Sequence, residues 1–77
     1  MPWSKSLPQP MRLIDGRVLD TLLDARNVIS EEDLGQHSSA RRALELLLEA
    51  SETGDPADIQ MAANQVITVL RQRKLLA

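Results

Sequence analysis

Apolar side chains recur at helical spacing in three separate stretches of this chain, and each stretch is preceded by a residue suited to capping a helix. In the first, Leu19, Leu22, Leu23 and Ile29 share one face at roughly 100° per residue, with Ala25 at its edge and Val28 turned away. Thr21 followed by Asp24 is a variant of the capping box and starts this helix, which should end near Ser30. The second helix is expected from Ser38 or Ser39 to about Ser51. Its apolar positions, Ala40, Ala43, Leu44, Leu46, Leu47, Leu48 and Ala50, cover an arc of about 200°, wider than packing against one neighbour requires. Gly54-Asp55-Pro56 then reads as a helix stop and a helix start: glycine in a left-handed cap, aspartate as N-cap, proline in the first turn. The third helix follows, with Ile59, Ala62, Ala63, Val66, Ile67 and Leu70 on one face and Gln60, Asn64, Thr68 and Arg71 opposite, ending near Lys74. Leu75 and Leu76 are placed to fold back.

Ahead of the helices, Asp15-Gly16 lies between Leu13-Ile14 and Arg17-Val18, which predicts a two-residue hairpin turn of type I′. So short a hairpin is not stable by itself and must lie against a helix. Residues 1–10 carry Pro2, Pro8 and Pro10 and show no periodicity, so they are expected to form an extended, flexible arm unless Trp3 finds a pocket. Ser30-Glu31-Glu32-Asp33, with Gly35 close behind, predicts a short turn or loop. The resulting expectation is an all-α fold: one helical domain over residues 11–77, a three-helix bundle with a short N-terminal hairpin or extended segment across it.

Pro10, Leu13, Asp15-Gly16-Arg17, Leu19, Thr21-Leu22 and Asp24-Ala25-Arg26 together spell P-x-x-L-x-D-G-R-x-L-x-T-L-x-D-A-R. In this the chain resembles a group of small uncharacterised bacterial proteins, and the likeness returns over Ala43 to Ala50 and at Gly54-Asp55-Pro56-Ala57-Asp58-Ile59. The resemblance implies no activity, because the group has none assigned. Its members tend to carry an aromatic residue just before the second helix, where this chain has His37-Ser38-Ser39.

Composition narrows the chemistry. At 77 residues folding buries only about 60% of the unfolded surface, and without cysteine neither a disulfide nor a thiolate metal site can add stability. The N-terminus lacks an apolar run of signal-peptide length, and no apolar run approaches the roughly 20 residues of a membrane span. A soluble, cytoplasmic protein with no membrane partner is therefore expected. A formal net charge of −2 provides no global field to draw the chain onto nucleic acid, and Trp3 as the only aromatic residue argues against base stacking. His37 is the only histidine, the three glycines are scattered, and Asp20 and Asp24 are accounted for by capping, so no enzyme, catalytic residue, cofactor or metal site is expected.

Three groups of residues remain as candidates. Leu46 and Leu48, at opposite edges of the wide stripe on the second helix, together with Trp3, suggest a protein-interaction or regulatory module that buries surplus apolar surface, a homodimer being one form of it. Arg41 and Arg42, opening the second helix, could join Arg71, Arg73 and Lys74 at the end of the third in a basic stripe for nucleic acid, if the two helices are antiparallel. Arg17 and Arg26 could hold an anion or metabolite. For Arg17 a local ion pair is the simpler role. Arg26 falls at the centre of the expected apolar face of the first helix, where its stem would cover apolar surface while the guanidinium reaches water or bonds to Asp15 or a helix C-terminus.

Overall fold

In the computed structural model, residues 2–31 and 38–77 are described. They form a short 3₁₀ turn, Pro2–Ser4, strands β1 (Ser6–Arg12) and β2 (Val18–Thr21), and helices α1 (Leu22–Glu31), α2 (Ser38–Thr53) and α3 (Pro56–Gln72). The expectation of an all-α fold is thus corrected. An antiparallel hairpin, β1 against β2, forms part of the core, and the fold combines this sheet with three helices. The reason lies in Leu7, Met11, Leu13 and Leu19, all buried. Two strands can present such residues on one face while their neighbours stay in water.

β1 contains two prolines of the segment expected as an extended arm, and the pairing accommodates them. Ser6 lies opposite Thr21 and Met11 opposite Leu19, so β1 carries extra residues between these pairs, where Pro8 and Pro10 have no amide to donate. The turn also differs from expectation. The Gly16 amide donates to the Leu13 carbonyl at 3.0 Å and the Leu13 amide to the Arg17 carbonyl at 2.8 Å, closing a three-residue loop, Ile14-Asp15-Gly16. Gly16 alone in this loop has a positive φ, 95°, whereas a type I′ turn requires positive φ at both central residues.

α1 opens with the expected capping box in reciprocal form. Thr21 Oγ1 accepts from the Asp24 amide at 3.2 Å, and Asp24 Oδ2 accepts from the amides of Thr21 and Asp20 at 3.2 and 3.0 Å. The face that this helix buries is Leu22, Ala25, Val28 and Ile29. Compared with the expected face it is rotated towards Val28, and Leu23 is exposed. The hairpin causes the rotation, because β2 packs against α1 and shares a wall of residues with it that includes Leu19 and Val28.

The boundary between α2 and α3 is as expected. Gly54, at φ 65°, donates its amide to the Ala50 carbonyl, while Asp55 Oδ1 accepts from the Ala57 amide at 2.8 Å with Pro56 in the first turn. α2 and α3 pack closely through alanines: Ala40, Ala43, Ala50, Ala62 and Ala63 are all buried. Ser39 Oγ donates to Gln72 Oε1 at 3.3 Å and Gln65 Nε2 to the Ser39 carbonyl at 3.1 Å, so the start of α2 meets the end of α3. α2 begins at Ser38, so Ser39 is inside the helix rather than capping it.

After α3 the chain reverses. The Lys74 amide donates to the Arg71 carbonyl and the Leu75 amide to the Leu70 carbonyl, the paired bonds of a Schellman motif, with Lys74 in its left-handed position at φ 59°. Leu75 and Leu76 fold back as expected. The Leu75 carbonyl accepts from Ile14 and the Ala77 amide donates to Arg12, which places Leu76 opposite Leu13 on the outer edge of the hairpin. Of the expected acidic turn, Ser30 and Glu31 belong to α1; the rest of it, with Gly35 and His37, lies outside the described residues.

Candidate interaction surface

Trp3 is half-buried in the 3₁₀ turn and packs on the core, with the Arg26 guanidinium carbon 5.2 Å from its ring centroid. That spacing is a cation–π contact, worth about 0.5–1 kcal/mol at an exposed site. Arg26 is exposed, at the margin of the buried α1 face and not at its centre, because that face is turned towards Val28.

Trp3 and Arg26 form two walls of a groove of about 530 Å³. Ser30 extends the α1 wall, and Leu44 and Leu48 of α2 complete the lining. Leu48 is 51% exposed and Leu44 partly buried. Leu46 does not share this surface. At 8% exposure it belongs to the core, since the neighbours of α2 cover that edge of its stripe and leave the edge at Leu48 open. The fold therefore brings together Trp3, Leu48 and Arg26, which lie far apart in sequence, and adds Leu44 and Ser30. Helical phase alone could have indicated Leu44, which adjoins Leu48 on the stripe; Ser30 had no signal.

The remaining arginines are arranged differently. Arg17 Nε contacts Asp15 Oδ2 at 2.6 Å and Arg17 Nη1 contacts Glu31 Oε2 at 3.0 Å, so a carboxylate flanks its guanidinium on two sides beside a cleft of about 280 Å³ between β2 and α1. The Arg17 amide also donates to Asp15 Oδ1 at 3.0 Å, and this bond holds the Asp15 carboxyl below its usual value of 3.8. A depressed carboxyl stabilises the fold above its unfolded pKa, and that contribution is lost as pH falls through the folded value. Asp15→Asn is accordingly expected to lower the melting temperature at neutral pH, with the difference from the parent chain closing below about pH 4. Thermal melts across that range read the effect directly, and a constant difference would rule out the charged Asp15 carboxylate as its source.

At the other end of the molecule, Arg41, Arg42, Arg71, Arg73 and Lys74 are all exposed. The Ser39–Gln72 contact brings their two helix ends together, but Arg42 is paired with Glu45 at 3.5 Å. Among the described residues no cluster of His, Asp and Glu could hold a metal ion, and no helix is long and apolar enough to cross a membrane. Compared with models of protein families, with curated proteins and with solved structures, the chain matches none.

Proposed function

We propose that this chain is a non-enzymatic protein-interaction module that receives a helical segment of a polypeptide in the groove between the 3₁₀ turn, α1 and α2. The observation that carries this reading is the placement of Leu48, half-exposed on α2, beside Trp3 in a groove of about 530 Å³. Helix-in-groove recognition uses apolar anchors seated between helices, with polar groups at the rim fixing orientation. Arg26 and Ser30 provide such a rim, and the cation suits an acidic residue on the incoming helix.

The test uses Leu48→Glu, which alters the groove without disturbing the core because the side chain is already half in water. A polypeptide retained by the parent chain should be lost from this variant, and once purified should shift the emission of Trp3, the only tryptophan. Equal retention by both chains, with helicity unchanged by circular dichroism, would remove the groove as the binding surface.

A further inference from the structure

The outward stripe of α2 is complementary to itself when reversed. Arg41, Leu44, Leu48 and Glu52 are spaced by three, four and four residues, so at roughly 100° per residue they stay within about 80° of one another. Arg41 and Glu52 are exposed, Leu48 is half-exposed and Leu44 partly buried. The pair Arg41 and Glu52 and the pair Leu44 and Leu48 are both centred close to residue 46.

We infer that the helix received by the groove is α2 of a second copy of this chain, docked antiparallel about a two-fold axis that crosses α2 near residue 46. This rests on the interaction reading given above and names its partner. In that arrangement Leu44 and Leu48 of each copy meet across the axis, and Arg41 of one copy lies beside Glu52 of the other at both ends. A parallel pairing would set Arg41 on Arg41 and Glu52 on Glu52, which like-charge repulsion disfavours. Both residues are available for this role. Arg42 and Glu45 pair with each other within the chain, whereas neither Arg41 nor Glu52 has an ion-pair partner among the described residues. Packed helices lie about 8–10 Å apart, a gap that an arginine and a glutamate side chain can bridge. Two-fold dimers with isologous interfaces of this kind are the commonest soluble homo-oligomers.

The experiment is sedimentation equilibrium of the full chain and of two variants, Arg41→Glu and Glu52→Arg, at low salt. The parent chain is expected to dimerise, and each variant by itself to do so about tenfold more weakly, since both end contacts become repulsive. An equimolar mixture of the two variants should regain the parent affinity, because an all-acidic stripe then faces an all-basic one. A mixture no tighter than the separate variants would overturn the antiparallel arrangement. A parent chain that stays monomeric up to millimolar concentration would overturn the second copy as partner while leaving the interaction reading intact, provided another polypeptide is still lost with Leu48→Glu. Dimerisation unaffected by Leu48→Glu would place the dimer contact elsewhere and overturn this inference; equal polypeptide retention by parent and variant would be the separate failure of the groove reading.

Discussion

Leu47→Ala is expected to destabilise the protein by about 2–5 kcal/mol, seen as a lower midpoint of urea unfolding at a similar slope. Leu47 is fully buried on α2, the helix that packs on α3, α1 and the 3₁₀ turn. Among the described residues the largest fully buried side chains are Leu22, Ile29, Leu47, Leu70, Val66 and Val69, and alanines make up much of the remaining core. Alanine cannot change rotamer to fill a void, so the space left by a leucine stays open and the upper part of the range applies. Domains of this size are stabilised by roughly 0.05–0.15 kcal/mol per residue, which makes such a loss a large share of the total. A cost below 1 kcal/mol would mean that Leu47 is not the centre of the packing.

The second large effect distinguishes the two orientations of α1. Val28→Asp should be among the most damaging single changes, by more than about 3 kcal/mol, because Val28 is 3% exposed against the hairpin and a carboxylate there would be buried without a partner. Leu23→Asp should cost less than about 1 kcal/mol. Leu23 is 39% exposed and lies in the first turn of α1, where a negative charge complements the helix dipole. The phase of the leucines alone assigns the opposite order, with Leu23 inside and Val28 outside. Chemical denaturation of the two variants side by side decides between them, and equal losses would contradict the rotated face.

Signals that act within a few residues were legible in the sequence. Thr21 and Asp24 satisfy each other's amides, and Gly54, Asp55 and Pro56 end one helix and begin the next, because capping chemistry needs no distant partner. What depends on contacts between elements was not. Pro8 and Pro10 conceal a strand whose pairing skips over them, and the rotation of α1 is set by a hairpin that its own periodicity does not register. The candidate surface divides in the same way. The open edge of α2 at Leu48 was readable from an arc too wide for its neighbours, but the sequence treats Leu46 as equivalent, and only packing buries it. Trp3 was notable as the only aromatic residue, whereas its partner Arg26 was conspicuous for a different reason, a charge on an apolar phase.

The fold-back of Leu75–Ala77 does more than cover two leucines. The amide of Ile14 and the carbonyl of Arg12 point away from β2, and without these last residues they would stand as an open template for any extended peptide. By occupying them the chain stoppers its own sheet at that margin. The reversal at Lys74 that aims the tail there holds a lysine where glycine is usual, so strain of about 1 kcal/mol is the toll for protection against strand-by-strand polymerisation.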